Sequence, residues 1–175
     1  QKSLDLGGTM IDYNLANKNQ YMNASWNDKL GEKWAVNAAG SYTNSKDDIH
    51  FYQTKVAKRI EASYLNNAYS YHFSDKLSVK FGGEIFAKTF TQNVVMPNEI
   101  HNNSFTDHTF SGFTEAQVYA SSKFVTRIGG RIEYSDYLKS FRFSPRVSTA
   151  YKITDNSQFS AAYGWFFQNP VDNYL

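Results

Sequence analysis

Two successive arms near the end of the chain alternate apolar and polar residues at every step. In the first, Phe141, Phe143, Pro145, Val147, Thr149, Tyr151 and Ile153 take the odd positions and Arg142, Ser144, Arg146, Ser148, Ala150 and Lys152 the even ones. After the turn Thr154-Asp155-Asn156-Ser157, the residues Phe159, Ala161, Tyr163, Trp165 and Phe167 repeat the scheme. A period of two over such lengths dictates a β-strand with one apolar and one polar face. Each arm is as long as the roughly 9–11 residues a tilted strand needs to cross a bilayer. The polar face carries too much charge for a sandwich core, and aromatics gather towards the strand ends. The architecture that fits is an all-β, antiparallel up-and-down transmembrane β-barrel, with lipid outside and a wet lumen inside.

Composition agrees with this reading and excludes others. The 175 residues are 41% hydrophobic, with a mean hydropathy of −0.56. No apolar run approaches the roughly 18 residues of a membrane helix. Aromatics make up 17% of the chain, with 13 Tyr and 14 Phe, as two aromatic belts require. A net charge of +2 is too small to argue for nucleic acid. The absence of cysteine excludes disulfides and thiolate-bound metals. The chain begins Gln1-Lys2 with no leader, so the sequence reading expects a processed chain or an excised piece.

About nine strands can be traced. The first covers residues 2–13 and the second, after a polar link at 14–19, residues 20–27, with Met22, Ala24 and Trp26 outward. The third carries Trp34, Val36, Ala38, Gly40 and Tyr42 outward. In the fourth, residues 56–73, Ile60, Ala62 and Tyr64 share one parity and Tyr69, Tyr71 and Phe73 the other. A bulge near Asn66-Asn67 would reconcile them. The fifth points Leu77, Val79, Phe81, Gly83, Ile85 and Ala87 outward, the sixth Phe110, Ala116 and Val118, and the seventh Phe124, Ile128, Ile132 and Tyr134. Pro145, on the apolar side of the eighth, lacks a ladder donor and predicts a bulge or gap.

Three strands share a scheme of apolar, Gly, Gly, polar, apolar: Leu6 to Met10, Phe81 to Ile85 and Ile128 to Ile132. Glycines inside strands mark bends or close backbone approach. Tight turns at 28–32, 74–76, 121–123 and 154–157 lie at one end, and long polar loops at 44–55 and 91–108 at the other. Short periplasmic turns opposite longer extracellular loops are the outer-membrane arrangement. An odd strand count leaves edges that a closed barrel does not have, so a fragment of a larger barrel is expected.

Gly129-Gly130-Arg131-Ile132-Glu133-Tyr134, then Phe143-Ser144-Pro145-Arg146-Val147-Ser148, then Ala162-Tyr163-Gly164 with Pro170 soon after, resemble the mid-barrel of TonB-dependent outer-membrane receptors. Phe81-Gly82-Gly83-Glu84 is similar to another strand of that family. The resemblance is best over residues 110–175 and looser before it. It implies a 22-stranded barrel with a plug in its lumen, taking up scarce nutrients with energy from an inner-membrane TonB complex. It implies a Gram-negative outer membrane as the setting and outer-membrane lipid, the rest of the barrel and the plug as partners. Whether a surface lipoprotein caps the barrel is left open. Residues 1–175 then form part of one barrel domain, with plug, energy-coupling segment and closing strand outside them.

Motifs for catalysis or phosphate binding do not occur, so no enzyme, cofactor or metal is expected. His101 and His108 share a stretch with Asp107 and Glu99, which raises a metal site, but solvated loop positions explain them as well. More informative are the charges on the polar faces: Lys80, Glu84, Lys88, Glu115, Arg127, Arg131, Glu133, Arg142 and Arg146. They are the candidate ligand- or plug-contacting residues, or else an ion-pair lattice bracing a hydrated wall. Adjacent strands supply both signs, which favours the lattice. Trp26, Trp34, Tyr151 and Trp165 read as interfacial anchors rather than a sugar site. Two rival readings stand beside uptake: a complete small barrel with an adhesive or structural role, and a soluble β-rich carbohydrate-binding module.

Overall fold

The computed structural model describes residues 2–5 and 10–167, with side chains from residue 13 onward. The described residues form nine antiparallel strands in one sheet, and each strand pairs with its sequence neighbours. They are β1 (Lys2–Asp5), β2 (Met10–Leu30), β3 (Trp34–Phe51), β4 (Thr54–Ser74), β5 (Leu77–Met96), β6 (Glu99–Ser121), β7 (Phe124–Ser135), β8 (Ser140–Thr154) and β9 (Ser157–Gly164). This is the up-and-down meander that alternating strands joined by tight turns produce. The strand count agrees with the sequence reading, but the first boundary differs. The expected first strand is divided between β1 and the start of β2, and its Gly7-Gly8 pair lies outside the described residues.

The register keeps the two faces separate across the whole sheet. Trp26, Ala38, Asn67, Gly83, Gly112, Ile132 and Phe143 are direct neighbours along one row of the apolar face. Shifted by one residue, Ser25, Ala39, Asn66, Glu84, Ser111, Glu133 and Arg142 form a row of the polar face. Among the described residues no second layer covers the apolar face: Phe143 is 56% exposed, Phe159 60% and Tyr163 71%. In a protein surrounded by water such a surface would be an aggregation liability. The polar face is the more enclosed of the two. Ala68, Phe90, Phe105, Asp107, Thr109, Ser135 and Ser144 are buried on it, against Val36 alone on the apolar side among the described residues.

The expected long loops are strands. The stretch 44–55 continues the β3–β4 ladder to Phe51↔Thr54, around a turn at Tyr52-Gln53. The stretch 91–108 continues the β5–β6 ladder to Met96↔Glu99, around Pro97-Asn98. Residues 14–19, expected as a link, lie within β2. Their composition is polar because beyond the apolar band the outward positions are taken by residues such as Thr91, Asn93, Asn102 and Ser104, which hides the period of two. A strand of 21 residues extends about 70 Å at ~3.3 Å per residue, more than twice what the bilayer core requires.

The same extension explains β4. Its register runs unbroken from Lys55 to His72, with no bulge at Asn66-Asn67, and the irregularity falls between His72 and Ser74. Ile60, Ala62 and Tyr64 belong to the polar face, where Ile60 sits opposite Phe90, while Tyr69 and Tyr71 belong to the apolar one. The change of parity marks where the strand leaves the apolar band. Nor is there a bulge at Pro145, which pairs with Gly130 in an unbroken β7–β8 register. Its carbonyl accepts from Trp165 N at 3.1 Å, so the edge that lacks an N–H faces β9, whose pairing ends at Gly164.

Of the bends or close backbone approach expected at the glycine pairs, close approach is present at Gly82 and Gly129. A Cβ on Gly82 would stand 2.3 Å from Asn67 O and 2.8 Å from Phe113 Cζ. One on Gly129 would stand 2.6 Å from Thr114 O. At both positions the neighbouring backbone presses onto the polar face, and only glycine leaves room.

Candidate functional site

On the polar face Arg131 is the hub. Its Nη1 lies 2.5 Å from Glu84 Oε2, its Nη2 donates to Ser111 Oγ at 2.7 Å, and the same nitrogen lies 3.3 Å from Glu133 Oε2. Asn66 Nδ2 donates to Glu84 Oε1 at 3.2 Å, and Arg142 Nη1 lies 4.0 Å from Glu133 Oε1. One guanidinium thus ties β5, β6 and β7, and the network reaches β4 through Asn66 and β8 through Arg142. The fork geometry of Arg suits such a three-way contact, and the side chains involved are only 17–24% exposed.

The other candidate charges are arranged differently. Lys80, Glu115, Gly129 and Arg146 share one row, and Gly129 leaves a gap between Glu115 and Arg146. An indentation of about 260 Å³ opens there, ringed by Lys80, Glu84, Glu115, Arg131 and Arg146. Among the described residues Lys80, Glu115 and Arg146 form no ion pair, although Arg146 lies 5.2 Å from the Phe166 ring centre. Arg127 donates through Nε to Gln117 Oε1 at 2.7 Å. Glu84, Arg131, Glu133 and Arg142 thus form one linked network, whereas Lys80, Glu115 and Arg146 border the indentation without an ion pair among the described residues.

A second cluster on this face was not evident from sequence. Phe90 and Phe105 stack with ring centres 5.3 Å apart, and Tyr137 follows at 5.0 Å from Phe105. Lys58 lies 5.3 Å over Phe90 and Lys88 5.9 Å over Phe105. Beside them Asp107 accepts from Ser135 Oγ at 2.8 Å, Tyr137 N at 3.2 Å and Thr109 Oγ1 at 3.2 Å. That carboxylate fastens the β7–β8 turn against β6. The signal that could have revealed the stack is symmetry: Phe90 and Phe105 lie equally far from the Pro97-Asn98 turn.

Of the residues raised as a metal site, His108 is set apart by strand alternation, while Glu99 and His101 share a face with Asp107 but lie six or more residues of strand away from it. Asp107 takes the polar face and His108 the apolar one, where His108 Nδ1 lies 3.9 Å from Asp136. His101 bonds Glu99 at 2.9 Å. No group of three metal-ligating side chains forms among the described residues. Of the expected anchors, Trp34 joins an aromatic belt at the short-turn end, 4.6 Å from Tyr71 and 6.3 Å from Phe81, and Tyr151 pairs with Phe124 at 6.4 Å. Trp26 instead stands in mid-band opposite Ala38.

A continuous meander with one uncovered apolar face and one charged face is a stretch of β-barrel wall. Comparison with known families identifies which barrel. The chain belongs to the TonB-dependent receptor-like β-barrel family, whose model matches residues 3–175. Its fold is similar to that of the RagAB peptide transporter, with a TM-score of 0.70 at 10% identity over 88% of this chain and 23% of that one. It is equally similar to the outer-membrane transporter YddB from Escherichia coli, with a TM-score of 0.70 at 11% identity over 87% of this chain and 26% of that one. The chain thus spans about a quarter of the length of these transporters. No curated protein matches it in sequence.

Proposed function

We propose that this chain forms part of the barrel wall of a nutrient-uptake receptor in the outer membrane of a Gram-negative bacterium. The observation that carries the reading is the family match along residues 3–175, on a sheet whose faces suit lipid on one side and a hydrated lumen on the other. On this reading the extended hairpins β3–β4 and β5–β6 stand above the outer leaflet and meet the ligand, or a capping surface lipoprotein, first. The ligand then passes along a lumen closed at rest by a plug and opened with energy from the TonB complex. The wall's own part is physical. Arg131 and its carboxylates keep the lumenal face rigid and wet, and Lys80, Glu115 and Arg146 offer separated charges of both signs to the plug or the passing ligand.

The test is growth of cells lacking the full-length protein on limiting nutrients supplied one at a time. Growth should fail on one nutrient class, fail likewise when TonB is removed, and return with the intact gene. Growth unaffected on every nutrient, with adhesion lost instead, would favour the structural-barrel reading.

A further inference from the structure

The sheet has an open edge inside it. β5 and β6 run up to the Pro97-Asn98 turn, but β7, the next strand in order, stops at Ser135, opposite Thr109. From Ile100 to Thr106 the side of β6 that faces β7 lower down therefore has no neighbouring strand among the described residues. Strand alternation tells which backbone groups are left over. His108 O accepts from Asp136 N at 2.9 Å, so His108 turns its backbone towards β7. Every second residue of a strand points its N–H and C=O to the same side. The β5–β6 register is unbroken from Met96↔Glu99 to Leu77↔Val118, so the alternation carries upward without a slip. Ile100, Asn102, Ser104 and Thr106 thus each present an N–H and a C=O to the open side. Natural sheets blunt such edges with proline, lysine or a bulge. None of these occurs between Ile100 and Thr106. Nor is the upper part of the strand covered from either face: every residue from Glu99 to Ser104 is exposed.

The chain itself begins to fill this edge from below. Beside the bond from Asp136 to His108, the Tyr137 ring packs 5.0 Å from Phe105. Above that contact the edge continues for about seven residues, roughly 23 Å at ~3.3 Å each. Only another extended backbone repeats donors and acceptors at that spacing, so the chemistry selects a polypeptide strand. Magnitude then separates a short ligand from a docked subunit. A stable protein–protein interface buries about 800 Å² on each partner around an apolar centre. A single strand edge bordered by His101, Asn102, Asn103 and Ser104 provides neither. We propose that the open edge of β6 captures an extended oligopeptide by strand addition. Recognition runs through the backbone, and the identity of the peptide's side chains matters little. The proposal rests on the uptake reading and deepens it, by naming the class of compound that the β5–β6 hairpin meets first.

The test uses the full-length protein in mild detergent. The probe is a fluorescent, end-capped peptide that alternates threonine and valine between terminal lysines. Its counterpart is N-methylated at the four central residues, which leaves the side chains unchanged but removes donors from both edges. Affinity is read by anisotropy, and folding is checked by heat-dependent gel mobility. The methylated peptide should bind at least tenfold more weakly than the parent peptide. Asn102→Pro/Ser104→Pro should weaken binding of the parent peptide at least tenfold. Both lost N–H groups face the open side, so the β5–β6 ladder keeps its bonds and the barrel should still fold. Asn102→Ala/Ser104→Ala, which changes side chains alone, should alter affinity no more than twofold. Hydrogen exchange at the Asn102 and Ser104 amides should slow when the peptide is added. The methylated peptide and the alanine variant decide the question even if the proline variant does not fold. Equal binding of the two peptides, undiminished binding by a folded proline variant, tenfold loss in a folded alanine variant, or no binding by the parent protein would overturn the proposal. Because binding is read on purified protein, peptide capture with no nutrient-specific growth defect would sink the uptake reading alone. Absent capture beside a clear growth defect on another nutrient would sink only the peptide.

Discussion

Gly82 and Gly83 are adjacent, yet the structure assigns them opposite tolerances. A methyl on Gly82 meets the Asn67 carbonyl at 2.3 Å, whereas one on Gly83 finds its nearest atom at an ordinary 3.5 Å. Gly82→Ala should cost about 1–3 kcal/mol through a forced backbone shift, and Gly83→Ala no more than about 0.5 kcal/mol. Urea titration of the folded barrel, followed by tryptophan fluorescence, separates them; equal costs would refute the close-approach account. Arg131→Ala should cost about 1–3 kcal/mol, less than the ~3–5 of a fully buried pair because its partners are partly solvated. Arg131→Lys should recover little, since an ammonium cannot fork between Glu84, Ser111 and Glu133. In the β7–β8 turn, the hydrogen bond and charge of Lys139 hold the Asp136 carboxyl below its ordinary value, with a smaller contribution from His108. Their contribution is complete above the ordinary value and fades only as the pH falls through the lowered one. Lys139→Ala should raise the Asp136 midpoint back towards the ordinary value, read by carbon NMR of the labelled carboxyl.

The elements differ in how much of them sequence could reveal. Where one face is apolar and uncovered, as along Phe141–Ile153 or Leu77–Ala87, the alternation is clear and the faces follow at once. Beyond the band the outward positions become Glu61, Thr89, Thr106 and their neighbours, so the period disappears although the ladder continues. That is why residues 44–55 and 91–108 read as loops, and why β4 seemed to need a bulge. The candidate charges were legible as a face but not as a network, because pairing depends on register: Arg131 reaches Glu84 two strands away, 47 residues earlier in the chain. The aromatic stack of Phe90 and Phe105 was hidden for the same reason. Hydrogen exchange checks the extended hairpins directly. Amides that bond within the ladder along residues 44–51, 54–61, 89–96 and 99–106 should be protected, with rapid exchange at the turns confined to Tyr52, Gln53 and Asn98, since Pro97 has no amide hydrogen. Uniformly fast exchange across 91–108 would restore the loop.

At the scale of the whole molecule, everything rests on which medium touches which face. The absence of cysteine makes the question accessible, because single cysteines can be introduced along one strand of the full-length protein, with any cysteine elsewhere in it removed. β8 is the strand to use, since it is uncovered on one side and carries both Arg142 and Arg146 on the other. Spin labels at Phe141, Phe143 and Val147 should collide freely with oxygen, which concentrates in hydrocarbon, and poorly with a water-soluble nickel chelate. Labels at Arg142, Arg146 and Ser148 should show the reverse if the polar face lines water, giving a period of two along six closely spaced sites. A plug packed against this arc would lower both accessibilities on the polar face while leaving the oxygen signal outside intact, so the two sets also report what fills the lumen. A soluble module would give nickel accessibility on both faces. Because no layer of the described residues covers the apolar face, Phe143 and Val147 would then be open to the chelate as well, and the two faces would lose their alternation together.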